Sequence, residues 1–132
     1  MIEFMDKRSC KVFVIPDYVI NPQRYHDLPQ SSIIYELIKE SGYGVIKLPP
    51  QEISEESAEP WIDMATDMIE EYLKRRYLVA VIEIDHPKMR TWIKELMEML
   101  EKRRAPKPKL IKISRTELER AEKILERIKT IS

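Results

Sequence analysis

The chain has 132 residues, of which 43% are hydrophobic and 35% are charged. A chain of this length buries roughly two thirds of its unfolded surface in one core, so we expect a single domain over residues 1–132. The 23 basic and 23 acidic residues cancel, so overall charge does not favour a nucleic-acid or membrane partner.

The residue composition also indicates the cellular compartment of the protein. A single cysteine, Cys10, excludes an internal disulfide and a metal cage made only of cysteines. Residues 1–5 are followed by Asp6, Lys7 and Arg8, so the apolar core of a signal peptide is missing. No apolar run approaches the roughly 18 residues that a membrane span needs. We therefore expect a cytoplasmic protein, and the abundant charge with a single Asn favours a thermophilic source.

Strand and helix patterns alternate along the chain. Short β-branched runs predict strands, and apolar residues at spacings of three and four predict helices. The predicted strands are residues 10–15, 45–48, 78–84 and 109–113, and the predicted helices are residues 32–40, 60–74, 87–105 and a segment from about residue 118. A long loop over residues 18–30 follows the first strand, and loops of this length are often functional.

Capping residues mark several helix ends. We expect Ser31 or Ser32 to cap the first helix and Gly42 to end it in the left-handed conformation. The pattern from Ser114 to Glu117 is S-x-x-E, a capping box that we expect to open the last helix. The predicted apolar stripe of that helix is Leu118, Ala121, Leu125 and Ile128.

This alternation predicts the fold. Strands separated by helices form parallel sheets with right-handed crossovers and helices on both faces. We therefore predict an α/β fold, a three-layer αβα sandwich around a parallel four-stranded sheet of order 2-1-3-4. This order puts a topological switch point between the first and third strands, because the connections from these strands run in opposite directions across the sheet. Open α/β sheets bind ligands at such a point, beyond the carboxyl ends of the strands.

Polar residues gather at this predicted edge. The candidate site residues are Asp17, Arg24, His26, Glu83, Asp85, His86, Ser114 and Arg115. Carboxylates and imidazoles together bind a divalent metal ion or divide acid and base roles, so the pattern is compatible with a divalent metal ion as the cofactor. Helix capping is the structural alternative for Asp85, His86 and Ser114.

Glu83 is harder to explain as a cap because it lies inside the third strand. A carboxylate is rarely buried unless it is paired or hydrogen-bonded. An ion pair with Arg24 or Arg115 is the structural interpretation, and a ligand or catalytic role is the functional one.

The segment VAVIEIDHPKM is similar to the third strand of response-regulator receiver domains. In that family the strand carries a phosphate-accepting Asp, and a Pro follows four residues later. Glu83 and Pro87 fall on these two positions. The resemblance implies a flavodoxin-like fold, with Asp17 as an acidic metal ligand and Ser114 as the hydroxyl residue after the fourth strand.

Three departures separate the chain from the receiver pattern. Glu83 replaces the acceptor Asp, Pro16 replaces an acidic ligand, and no fifth strand with its Lys is predicted after the last helix. The resemblance therefore implies a degenerate receiver-like domain. With only Gly42 and Gly44, the chain also lacks the glycines of a P-loop or dinucleotide-binding turn.

These observations favour a small regulatory or protein-interaction domain without catalysis. We expect a protein partner, or a homodimer through the edge of the fourth strand, which is open unless residues 1–5 or a second subunit cover it. The alternative is a metal-dependent or acid-base enzyme that uses the carboxylates and histidines of the carboxyl edge.

The opposite edge is basic. Its cations precede the strands and are Lys7, Arg8, Lys74, Arg75, Arg76, Lys102, Arg103, Arg104, Lys107 and Lys109. Binding of an anionic polymer is a third hypothesis for this edge. Helix C-termini favour cations in any case, so we do not expect nucleic acid to be the partner.

Overall fold

The computed structural model describes residues 11–21, 31–48 and 59–131. The strands are β1 (Lys11–Ile15), β2 (Gly44–Lys47), β3 (Leu78–Ile84) and β4 (Lys109–Ile113). The α-helices are α1 (Asp17–Ile20), α2 (Ile33–Glu40), α3 (Glu59–Lys74), α4 (Pro87–Lys102) and α5 (Ala121–Thr130), and a 3-10 helix covers Glu117–Glu119. Across these ranges, no helix has the length and apolar character to cross a membrane.

All four strands form one parallel sheet in the order β2-β1-β3-β4. This is the predicted order, and the predicted bounds of β3 and β4 are confirmed. The observed β1 begins one residue later than predicted, and β2 lies one residue earlier. Such shifts are small because strand ends depend on hydrogen bonding to neighbours as well as on sequence.

Helices pack in two groups, α3 against α4 and α2 against α5. Right-handed crossovers explain this grouping. The connection from β1 to β2 runs in one direction across the sheet, and those from β2 to β3 and from β3 to β4 run in the other. The predicted three-layer α/β sandwich is confirmed.

The core surrounds the two central strands. Every side chain of Val12–Ile15 and of Val79–Ile82 is at most 1% exposed. Burial on both faces explains why these strands are continuously apolar and do not alternate with polar residues. The edge strand β4 does alternate, with Ile111 and Ile113 buried and Lys112 exposed.

The beginning of the predicted long loop is helical. Residues Asp17–Ile20 form α1, and residues 22–30 lie outside the described residues. The predicted serine cap of α2 is wrong, since Ser32 makes no side-chain cap hydrogen bond. The Ser31 hydroxyl instead donates to the carbonyl of Val19 at 2.8 Å, which ties α1 to the start of α2.

The left-handed exit of α2 at Gly42 is confirmed by its φ of 79°. The start of the last helix differs from the prediction, because α5 begins only at Ala121. Its buried residues are Ile124 and Ile128, so the predicted stripe holds at Ile128 and is wrong at Leu125. The 3-10 helix before α5 has three residues per turn, so it changes which side chains of the following residues face the core.

Candidate functional site

The carboxyl ends of the parallel strands meet at one edge of the sheet. Asp17 follows β1, Glu83 is the penultimate residue of β3, and Ser114 follows β4. The structure therefore brings the ends that carry the predicted site to one edge. Two of the predicted site residues, Arg24 and His26, lie outside the described residues.

Glu83 is the most buried of the predicted site residues, with 5% of its surface exposed. Among the described residues, its carboxylate has no hydrogen-bond or ion-pair partner. Its register partner on β4 is Lys112, and directly paired residues lie on the same face of a sheet. Burial raises the pKa of Glu83, and the charges of Lys112 and Arg90 offset this only in part.

Of the two predicted ion-pair partners of Glu83, Arg24 lies outside the described residues, so that pairing stays a prediction. The predicted partner Arg115 is exposed, and the cations that act on the carboxylate are Lys112 and Arg90. The nearby charge of Asp85 acts in the opposite direction and raises the pKa of Glu83 further. Glu83 is thus a buried acid with neighbouring charges but without direct pairing to a described residue.

Asp85 and His86 directly precede α4. The carboxylate of Asp85 pairs with the guanidinium of Arg90, and both side chains are at least half exposed. The Arg90 N–H donates to the His86 carbonyl at 3.0 Å, so helical hydrogen bonding begins at His86. Pro87 then occupies the first turn, where a missing N–H costs nothing. His86 is thus at the helix boundary, and side-chain capping by Asp85 or His86 stays a prediction.

Asp17 closes the turn formed by α1. The side-chain amide of Asn21 donates to the Asp17 carboxylate at 2.9 Å, and the Asn21 N–H donates to the Asp17 carbonyl at 2.7 Å. Asp17 is 9% exposed. Its carboxylate therefore has a local hydrogen-bonding role in the first turn after β1.

Ser114 belongs to a reciprocal capping box, as predicted. The Glu117 N–H donates to the Ser114 hydroxyl at 3.2 Å, and the Ser114 N–H donates to the Glu117 carboxylate at 3.4 Å. Arg127 on α5 donates to the same carboxylate at 2.7 Å. Desolvation raises the pKa of Glu117, but the hydrogen bonds from Arg127 and Ser114 outweigh it and lower the pKa.

A metal centre is not formed by the described part of this edge. Within residues 11–21, 31–48 and 59–131, no group of three His, Cys, Asp or Glu side chains is arranged to hold a metal ion. His26, which the sequence prediction included, is not among them. The described residues therefore offer Glu83 as a buried acid without the rest of a coordination shell.

The basic amino edge is partly neutralised. Arg103 pairs with three acids of α3, which are Asp67, Asp63 at 3.6 Å and Glu70 at 3.4 Å. Lys74 pairs with Glu70 at 2.7 Å, and this hydrogen bond lowers the pKa of Glu70. Arg103 therefore connects the end of α4 with α3, and Lys74 forms an ion pair within α3.

Sequence reasoning missed Lys112, Arg90 and Arg127. The register of β4 against β3 places Lys112 beside Glu83, and this register was not predicted. Arg90 lies on α4, five residues beyond Asp85. The predicted helix start at Pro87 places Arg90 in the first turn of the helix, close to Asp85, and this was the sequence signal for their ion pair.

Comparison with protein-family models, with curated proteins and with solved structures gave no match. The parallel sheet and its strand order are consistent with a flavodoxin-like fold. Membership of the receiver family is not supported, and the resemblance of the β3 segment stays a hypothesis.

Proposed function

We propose that this chain is a small regulatory or protein-interaction domain that works without catalysis. The supporting observation is that polar groups of the carboxyl edge have local partners close in sequence. These pairs are Asp17 with Asn21, Asp85 with Arg90 and Ser114 with Glu117. Side chains used in this way hold turns and helix starts, which fits a domain that presents surfaces to a partner.

The proposed partner is another protein or a second copy of this chain. The β4 strand lies at the end of the sheet, and an edge strand offers backbone groups for pairing with another chain. The receiver-like strand order supports a regulatory role, and Glu83 at the acceptor position argues against phosphotransfer. The single cysteine supports a cytoplasmic location, and the charge-rich composition supports a thermophilic source.

Cross-linking tests this proposal on the full chain. Purified protein is cross-linked in a native extract, the partner is identified by mass spectrometry, and its affinity is measured with both purified components. We expect saturable binding that is unchanged in Glu83→Gln, with the exposed Glu95→Gln as the matched control. Failure to obtain a stoichiometric complex with any partner, or with a second copy, contradicts the proposal.

Acid-base or metal-dependent catalysis is the second candidate, and the burial of Glu83 without a described partner favours it. Buried acids with a raised pKa occur often in catalytic sites. A thermal-shift screen with divalent metals, phosphate and small carboxylic acids separates the two candidates, because a ligand that binds the native state raises its melting temperature. A stabilisation present in the native chain and lost in Glu83→Gln favours the enzyme.

A further inference from the structure

Among the described strands, β4 lies at the end of the sheet, and none of them pairs with its outer edge. The Asp85 N–H donates to the Ile113 carbonyl at 3.0 Å, so the backbone of Ile113 faces β3. Backbone groups alternate sides along a strand, so those of Leu110 and Lys112 face outward. Arg127 already donates to the Lys112 carbonyl. Among the described residues, the N–H and carbonyl of Leu110 have no partner on this side.

A groove of about 380 Å³ lies beside the beginning of this edge, between α4 and the segment that leads to β4. Its apolar lining is Met97, Leu100, Ala105 and Pro108. Pro108 directly precedes Lys109, so the groove lies next to the start of β4. A chain that pairs with β4 therefore has an apolar depression next to its path.

Charge along the edge favours an acidic chain. Lys107, Lys109 and Lys112 are all exposed, and they occur before, at the start of and within β4. The α4 side of the groove carries Glu98 and Glu101 together with Lys94. An acidic side chain is thus attracted to the lysines of the strand side, and an apolar side chain fits the apolar lining of the groove.

The same charges disfavour a second copy of β4 as the occupant. Pairing two β4 strands brings lysines of both copies onto the same sheet face, and like charges across a strand pair are destabilising. It also competes with Arg127 for the Lys112 carbonyl in each copy. A partner chain without lysines avoids the charge repulsion. If it pairs at Leu110, it also leaves the hydrogen bond from Arg127 to the Lys112 carbonyl intact.

We propose that an acidic, extended segment of a partner protein adds to the outer edge of β4 at Leu110 and inserts an apolar side chain into the adjoining groove. Strand addition of this kind takes affinity from main-chain hydrogen bonds and specificity from side-chain pockets. This inference rests on the proposed interaction function and names the class of partner. Arg127 confines the added strand to the first part of β4.

A fluorescent peptide of sequence Glu-Val-Glu-Leu-Glu-Val-Glu is the probe, and anisotropy with the full chain is the measurement. We expect saturable binding that weakens as salt is added, since the charges are exposed. The double variant Lys107→Glu/Lys109→Glu should bind at least about tenfold more weakly, because it reverses two charges. Lys123→Glu, an exposed change on α5, is the matched control and should bind like the native chain.

Two further probes separate strand addition from charge attraction. A peptide with alternate backbone nitrogens methylated keeps every side-chain charge but cannot complete the ladder, so we expect its binding to be lost. Hydrogen exchange should show protection of the Leu110 amide by the unmodified peptide alone. Equal binding of both peptides, or an unprotected Leu110 amide, overturns the inference.

Two other results also overturn it. One is the absence of peptide binding at millimolar concentration, and the other is sedimentation showing self-association through β4 without peptide. Neither removes the interaction function itself, because the cross-linking experiment detects a partner at any surface of the chain.

Discussion

Glu83 occupies a position that ordinarily holds an apolar residue. It lies in β3 between Ile82 and Ile84, which are at most 1% exposed, and its own exposure is 5%. Removing a carboxylate from water disfavours its charged form, which is why burial is the largest influence on its pKa. Lys112 and Arg90 reduce this effect without cancelling it.

The raised pKa of Glu83 predicts a pH-dependent effect of Glu83→Gln. Stability from a group with a raised folded-state pKa is present below its unfolded value, near about 4.3 for Glu, and is lost as pH rises through the raised pKa. Gln resembles the protonated acid and does not titrate. We expect similar stability of the two proteins in acid and a growing advantage of the variant as pH rises, measured by urea unfolding across pH.

Glu95→Gln is the control for this series because Glu95 is an exposed residue of α4. Its stability difference from the native chain should stay nearly constant across the same pH range. A Glu83→Gln variant that is less stable than the native chain at every pH would instead indicate that the carboxylate accepts a stabilising hydrogen bond.

For individual residues, the sequence predicted burial and local capping but not the contacts between residues distant in the chain. The burial of Glu83 followed from its place in an apolar strand, and the capping box of Ser114 followed from local spacing. The contact of Arg127 with Glu117 spans ten residues across a helix start. It was not predictable because the 3-10 helix sets where the side chains of α5 point.

The helices that precede β3 and β4 end in the same way. Arg76 and Arg104 have φ values of 65° and 55°, in the left-handed region that favours glycine. The next residue in each case, Tyr77 or Ala105, donates its N–H back to the helix at 3.2 or 3.0 Å. These are Schellman-type ends in which a non-glycine residue takes the position that Gly42 takes after α2.

Glycine at either position should stabilise the protein. We expect Arg76→Gly and Arg104→Gly each to raise the free energy of unfolding by about 1 kcal/mol, because the Cβ clash of the left-handed conformation is removed. Both arginines are exposed, so little packing is lost. Urea unfolding monitored by circular dichroism measures the change.

A glycine inside a helix provides the opposite comparison. Glu98→Gly in α4 should lower stability by roughly 1 kcal/mol, because glycine there adds only backbone freedom to the unfolded chain. If Arg76→Gly and Arg104→Gly also lower stability, the arginine side chains make contacts that outweigh the backbone strain.

Element existence was predictable, and the contacts between elements were not. The apolar stripe of α3 was visible in the sequence, but its acidic stripe of Asp63, Asp67 and Glu70 was not linked to Arg103. Arg103 is 33 residues from Glu70, and only the side-by-side packing of α3 and α4 brings them together. Local periodicity carries no information about such a pair.

For the molecule as a whole, strand order was the most predictable property. Four strand–helix units and right-handed crossovers leave few arrangements of a parallel sheet, and the predicted one is observed. The complete site was less predictable because it depends on loops after the strands, whose geometry is not set by periodicity. Arg24 and His26 belong to such a segment and lie outside the described residues.

One apolar cluster joins the two faces of the sheet. It includes Ile82 of β3, Ile128 of α5 and Ile93 of α4, all at most 1% exposed. A shared core predicts that the chain unfolds as one unit, which is the physical content of the single-domain prediction. That prediction concerns residues 1–132 and calls for a direct measurement.

Ile82→Ala and Ile128→Ala test it from the centre of the sheet and from an outer helix. Each removes a fully buried side chain, so each should lower the free energy of unfolding by about 2–5 kcal/mol. If the chain is one unit, both variants shift the same calorimetric transition, with equal calorimetric and van't Hoff enthalpies. Ile33→Ala, at a residue that is 38% exposed, should cost less than about 1 kcal/mol. Two separate transitions, each moved by only one of the core variants, would show that α5 and the sheet unfold independently.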